Sequence, residues 1–405
     1  MLRGDKEMES TLSKKTSYKE LITQSIKSNI RQYTMIIALL SIWAIFALLT
    51  DGIFLTSRNL SNLFLQMVTI GLLACGMVLV IVATHIDLSV GSVAGTLGAV
   101  AAVLMKSAGL HPVLAIALTL LVGVAVGSWH GYWIAYQGVP AFIVTLASMT
   151  AFKGITLALT KGSTIGEFPL GFKAIGQGYV PSILFKEAGF NDTSIFIGIV
   201  FICIYLVLEM RSRKSKQLHQ LSVLSMPAQV IKMVLMSVVI AIPVFIMTVY
   251  RGIPYAVLLL TGIVVLFTFI TKKTKLGRHI YAIGGNSHAA ELSGINNKRV
   301  TFLIFVFMGL LTAMASIVFT GRLNAATTSA GSLFELDAIA ACYIGGTSSS
   351  GGVGTVFGAI IGALVMASLD NGMSLMNVDI MYQYIIKGSI LLLAVWIDFQ
   401  TKKKR

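Results

Sequence analysis

Side chains able to do chemistry are scarce in this chain and unevenly placed. Of its 405 residues, 16 are acidic, six are histidine and three are cysteine. Among the apolar runs, such groups gather at His85, Asp87 and Ser89, and again at Glu335, Asp337, Asp370, Asn371 and Lys387. Asp87 and Ser89 precede an apolar run that opens at Val90, where a side-chain oxygen can cap free helix amides and a negative charge suits the helix dipole. A carboxylate at membrane depth is also costly and marks a polar route. Both roles stay open for Asp87. Glu335 and Asp337 fall on nearly opposite faces of a helix. Asp370-Asn371-Gly372 reads as a helix end and turn with Asp370 solvated, while Lys387 pairs with an acid or snorkels. No nucleophile–base or paired-carboxylate constellation results, so no catalytic residue is expected. Cys75, Cys203 and Cys342 have no metal-ligand spacing and read as small core residues. No metal site is expected.

Two glycine-rich stretches invite a phosphate-binding reading. Neither Gly284-Gly285 nor Gly345–Gly354 is followed by Lys-Ser/Thr at a suitable spacing, which rejects it. The second stretch instead reads as a break between helices whose hydroxyls line a cavity. Around the first, Asn286 or Ser287 can open a short helix and Gly294 can close it in the left-handed conformation. Ala289, Ala290, Glu291 and Leu292 would form its body, with small apolar contacts offered by Ala289, Ala290 and Leu292. A helix capped at both ends and too short to span suits docking into a partner's groove. An ordinary structured loop is the competing reading.

The elements that must position these residues are membrane helices. Hydrophobic residues make up 56% of the chain and charged residues 12%, with a mean hydropathy of +0.85. A soluble domain carries about a quarter charged residues. A bilayer core of about 30 Å needs roughly 20 apolar residues per helical crossing. Apolar runs recur near 33–50, 63–84, 90–105, 113–136, 139–160, 194–209, 231–250, 254–271, 300–320, 335–347, 352–369 and 381–397. The fold class is therefore all-α, a polytopic bundle of about twelve segments with 10 to 12 true crossings, in which 335–369 could include a re-entrant helix. A barrel is excluded because the runs do not alternate every second residue.

The net charge of +15 sits at the ends and in two loops: 22 of the 31 Lys and Arg fall in residues 1–32, 211–232, 272–299 and 402–405. That is the positive-inside pattern, and no polar domain is long enough to present a nucleic-acid surface. With those patches cytoplasmic, six, two and four crossings separate them, and 161–193 becomes the longest external loop. The expected organisation is a cytoplasmic segment 1–32, a membrane domain 33–400 with cytoplasmic loops 210–232 and 272–300, and a cytoplasmic tail 401–405. The leading segment is too long and too acidic for a cleaved signal peptide, so the first helix should remain as an anchor. Gly123, Gly127 and Gly131, and likewise Gly354, Gly358 and Gly362, recur every four residues and mark close helix packing, as do Gly91, Gly95 and Gly98.

Ile86-Asp87-Leu88-Ser89-Val90-Gly91-Ser92, Val139-Pro140-Ala141-Phe142-Ile143-Val144-Thr145-Leu146, the 277–295 loop, Glu335-Leu336-Asp337-Ala338-Ile339-Ala340-Ala341 with Ile344-Gly345-Gly346-Thr347, and Leu391-Leu392-Leu393-Ala394-Val395 together resemble the ribose/xylose branch of ABC sugar importer permeases. Ser368-Leu369-Asp370-Asn371-Gly372-Met373-Ser374 and the extra loop and helix across 194–250 point toward the xylose side of that branch. The resemblance implies a bacterial inner-membrane permease for a monosaccharide, D-xylose, working as a homodimer or as a pair of related permeases. A cytoplasmic ABC ATPase, which would hold the ATP and Mg, would dock at Gly284, Gly285, Asn286, Ala289, Glu291 and Gly294. An extracytoplasmic sugar-binding protein would deliver cargo to the outer face, with Asp87, Ser89, Glu335, Asp337 and Asn371 as pathway candidates and no cofactor in this chain. An ion-coupled secondary transporter, using Asp87, Glu335 or Asp337, is the alternative.

Overall fold

A computed structural model describes residues 30–184, 189–221 and 223–403. Residues 1–29 of the expected N-terminal segment, and 404–405 of the tail, lie outside the described residues. The helices are α1 (Ile30–Leu49), α2 (Ser57–Val82), α3 (Val90–Lys106), α4 (Pro112–Ala135), α5 (Ala141–Thr160), α6 (Leu170–Gln177), α7 (Asp192–Leu218), α8 (Met226–Tyr250), α9 (Tyr255–Lys273), α10 (Lys275–Gly285), α11 (Ser287–Leu292), α12 (Asn297–Leu323), α13 (Phe334–Ile344), α14 (Val356–Leu375) and α15 (Ile380–Lys403). Two short strands, β1 (Ile165–Gly166) and β2 (Ala325–Ala326), pair antiparallel.

Among the described residues nine helices are long and apolar enough to cross a membrane, and two shorter apolar stretches, Met35–Leu49 and Val90–Lys106, accompany them. α13, with 11 residues, is about 16 Å long and cannot cross alone. The chain is a polytopic helical membrane protein.

Apolarity all round a helix predicts burial on every side, and α2 obeys it: 94% of its apolar window is buried. It packs against α8, α9, α12, α13 and α14 and forms the axis of the core. α7, α8 and α15 lie at the periphery with almost none of their windows buried, and there the surrounding solvent is lipid.

The glycines set how closely the central helices approach. α4 and α12 make the most extensive helix pair. A Cβ at Gly123 would collide with Gly309 and Ala313, one at Gly127 with Phe305 and Gly309, and one at Gly131 with Phe302. The backbones are thus antiparallel and in contact, where dispersion accumulates. Gly358 and Gly362 play the same part against Gly345 and Ala341, which runs α13 antiparallel to α14. Gly354 departs from the expected stripe. It precedes the helix, in the break, with Val82 and Thr347 against it.

Two other expectations are corrected. Asp370-Asn371-Gly372 is not a helix end: α14 continues to Leu375, and Gly372 sits against the Phe46 ring. A side chain there would push α1 away, so Gly372 is kept for packing rather than for a turn. Cys203 is exposed, whereas Cys75 and Cys342 are buried, because α7 faces outward. The stretch 161–193, expected as the longest external loop, contains β1 and α6 and packs on the end of α12.

Candidate translocation pathway

Contacts along α12 give the depth of everything around it. At 1.5 Å per residue its 27 residues span about 40 Å. The His85 ring lies 5.9 Å from that of Phe305. Ser316, about 16 Å further along, donates through Oγ to the Ala94 carbonyl at 2.5 Å. Between those levels residues 85–89 form neither helix nor strand, and α3 begins only at Val90. Non-helical backbone so deep must be enclosed by protein or line a cavity. Here Asp87, 2% exposed, and Ser89, fully buried, are enclosed, whereas His85 and Leu88 are half-buried.

A second interrupted crossing meets the first. After α12 the chain turns back, and Ala330 and Gly331 pass against Gly95 and Gly91. α13 then continues toward the far end, with Glu335 in its first turn. A Cβ on Gly91 would overlap the Glu335 carboxylate and the Gly331 carbonyl. Two short helices therefore begin side by side in the interior, α3 of 17 residues and α13 of 11, each bringing the positive end of its dipole there. The acidic groups beside them are Asp87 and Glu335. Paired discontinuous helices of this kind are a hallmark of transporter binding regions.

Asp87 closes a tight turn just ahead of α3 and makes no bond to the free amides of the helix itself. Its Oδ1 accepts from the Ser89 amide at 2.8 Å and the Ser89 hydroxyl at 2.6 Å. Ser89 occupies the cap position without using its own hydroxyl to cap, since that hydroxyl donates to Asp87. Asp87 itself is covered in this conformation, while the neighbouring Ile86 is exposed. His130 of α4, absent from the sequence reading, lies within electrostatic reach of Asp87. It is buried, and its Nε2 has no hydrogen-bond partner. A histidine in a run of apolar residues carries no local signal, and only helix packing brings it beside the acid.

Asp337 and Lys387 also meet. Lys387 of α15 lies 3.0 Å from Asp337 and 2.7 Å from Asp370. Asp370 is thus an intramembrane partner of Lys387 rather than a solvated turn residue. Asn371 accepts from Asn59 at 2.7 Å and ties α14 to the start of α2. Asp337 and Asn371 thus join networks separate from the Asp87–Glu335 meeting point. No group of three or more His, Cys, Asp or Glu among the described residues is placed to hold a metal ion.

At one end of the bundle, α10 and α11 form a compact surface. Asn286 caps α11, its Oδ1 accepting from the Ala289 amide at 2.9 Å, and Gly294 adopts φ +83° just beyond it. Ala290 is buried and anchors the helix, whereas Ala289, Glu291 and Leu292 are exposed. Gly284 rests on the Val82 carbonyl, where no side chain fits, and Gly285 faces open space. The Tyr281 hydroxyl donates to the Gly354 carbonyl at 2.7 Å, linking this surface to the break before α14. Burial pushes the Tyr281 phenol above its ordinary range, so it stays a donor.

At the opposite end a cavity of about 290 Å³ is lined by Asn62, Gln66, Gln177, Tyr179, Arg251 and Arg322, with Leu65 and Tyr250 completing it. Its size is near the lower bound of small-molecule sites. Tyr179 and Tyr250 meet edge-on, and the Arg251 guanidinium lies 5.9 and 5.3 Å from their ring centres. These residues come from four separate parts of the chain, which is why no aromatic platform was legible in the sequence.

The family model for "Branched-chain amino acid transport system / permease component" matches residues 59–395. The xylose transport system permease protein of Haemophilus influenzae is 45% identical over 376 residues, covering 93% of this chain and 98% of that one. The protein of the same name from Escherichia coli K12 is 44% identical over 93% of each chain. The ribose import permease protein of Escherichia coli K12 is 34% identical, over 92% of this chain and 95% of its own. No solved structure matches. A membrane bundle with two short helices meeting in its interior, and a match over most of its length, make this chain a transport permease of the branched-chain amino acid transport system / permease component family.

Proposed function

We propose that this chain is the membrane-spanning permease of an ATP-driven importer that carries a monosaccharide, D-xylose, into the bacterial cytoplasm by alternating access. The observation that carries the reading is the 45% identity, over nearly the full length of both chains, to a xylose transport system permease. The end bearing the 211–232 and 272–299 basic patches faces the cytoplasm of the inner membrane, and both termini lie on that side. An ABC ATPase, which binds the ATP and Mg, docks there against α11. A sugar-binding protein approaches the other end, where the cavity offers hydrogen-bond donors and two tyrosine rings suited to a sugar. Two copies of the chain enclose the pathway, and no cofactor resides in this one.

The internal geometry supports the coupling. α11 follows α10, Tyr281 of α10 holds Gly354, and the same break leads back to α13, whose first turn meets α3 at Gly91. A displacement of the docking surface would therefore be passed to both short helices through rigid elements. Differential affinity of the ATPase for two arrangements is what would drive the alternation.

The Asp337–Lys387–Asp370 network favours a second reading, an ion-coupled sugar carrier, because such carriers place titratable groups at membrane depth. One experiment separates the two. Proteoliposomes with ATP inside are tested for radiolabelled xylose uptake with the ATPase and binding protein present or omitted. Uptake requiring both partners supports the importer. Uptake by this chain alone under a proton or sodium gradient replaces it with the carrier.

A further inference from the structure

We propose that the α7–α8 hairpin holds an anionic phospholipid, with an acyl chain in the cleft between the helices and the phosphate at the basic end of α7. The cleft has a volume of about 380 Å³ and is lined by Ile202 and Leu206 of α7 and by Val230, Val234, Val238 and Ala241 of α8, among others. From Val230 to Ala241 it runs about 16 Å along α8, close to half the roughly 30 Å hydrocarbon core. An apolar trough one leaflet deep matches one acyl chain.

What lies at its mouth names the headgroup. Glu209 receives Lys232 at 2.6 Å and Gln229 at 2.9 Å, which brings the end of α7 level with the start of α8. Immediately beyond Glu209 come Arg211, Arg213, Lys214 and Lys216, and no acidic residue follows before Lys232. Arg211, Lys214 and Lys216 are exposed, and Arg213 donates to the Leu224 carbonyl at 2.8 Å. The local acid is therefore already taken by Lys232, while the neighbouring cations face outward at the level where a phosphate would sit. Basic clusters beside membrane helices attract anionic headgroups, each cation adding to the effect. A zwitterionic lipid would fill the cleft equally well but has no net charge to match.

The test uses the full chain, purified in mild detergent and titrated with phosphatidylglycerol or phosphatidylcholine under native mass spectrometry. Arg211→Gln/Lys214→Gln/Lys216→Gln removes the charges without touching a helix contact. Ala241→Trp fills the lipid-facing cleft and keeps the charges. The expected result is retention of about one phosphatidylglycerol per chain, weakened at least tenfold by the triple variant and also by Ala241→Trp. Equal retention of the two lipids, or phosphatidylglycerol binding unchanged by either variant, overturns the proposal. So does loss of a dimer with Ala241→Trp while lipid retention stays constant, because the cleft would then seat a second copy.

Discussion

Tyr281 and Gly354, 73 residues apart, are joined by a 2.7 Å hydrogen bond from the phenol to the peptide carbonyl. The bond connects the exposed α10–α11 surface to the glycine-rich break from which α13 and α14 diverge. Gly352 strengthens the junction by donating from its amide to the Val82 carbonyl at 2.9 Å. Three separate stretches of chain thereby meet at one end of the bundle.

Tyr281→Phe should leave the Gly354 carbonyl without its donor and weaken the junction by about 1 kcal/mol. The protein should still fold, but stimulation of ATP hydrolysis by sugar-loaded binding protein should fall several-fold in reconstituted vesicles. Burial raises the phenol pKa, so the protonated donor is favoured. The bond is fully present below the ordinary tyrosine value of about 10 and is lost only as pH rises through the higher folded value. Coupling in the wild type should accordingly show no alkaline loss from this bond up to about pH 9.

Glu291→Arg tests the docking surface directly. Glu291 is exposed on α11, so reversing its charge should not disturb the fold. Pull-down of the ATPase should drop at least about tenfold, the order expected when a rim charge becomes repulsive. Unchanged association, with unchanged uptake, would remove α11 from the docking face.

Lys387→Met should be severely destabilising. Asp337 is 4% exposed and Lys387 15% exposed as side chains, so deleting the cation strands the buried Asp337 carboxylate beside a half-buried Asp370. Breaking such a pair costs about 3–5 kcal/mol. Thermal unfolding in detergent should reveal the loss, and adding Asp337→Asn with Asp370→Asn should restore most of it.

Asp87→Ala removes the acceptor for the Ser89 amide and hydroxyl. Leaving such buried donors unmade costs about 1–3 kcal/mol. Xylose uptake should fall sharply, whereas Asp87→Asn, which keeps an acceptor oxygen, should retain a measurable fraction. Wild-type uptake by Asp87→Ala would reduce Asp87 to a replaceable turn residue.

Gly127→Val should prevent the approach of α4 to α12, because the new side chain meets the Phe305 carbonyl and the Gly309 backbone. Yield of folded protein should collapse. Gly262→Ala, in α9 with open space at its Cβ position, is the matched control. It should gain up to about 1 kcal/mol of helix propensity.

Much of this architecture is written locally in the residues. Helix lengths follow from the apolar runs, because a bilayer demands a fixed length of apolar helix and leaves no alternative secondary structure except a barrel. The α11 turn was equally legible, since Asn286 and Gly294 act on their own neighbours through cap geometry. What lay beyond local reading was partner choice. Lys387 reaches back 50 residues to Asp337, and Asn59 finds Asn371 at a separation of 312. The meeting of Gly91 with Gly331 and Glu335, the position of His130 beside Asp87 and the eight-residue cavity depend on which helix faces turn toward each other. Apolar helices in lipid are not sorted by hydrophobicity. They are sorted by close packing of small residues and by a few buried polar pairs, and those matches exist only once the whole bundle has assembled.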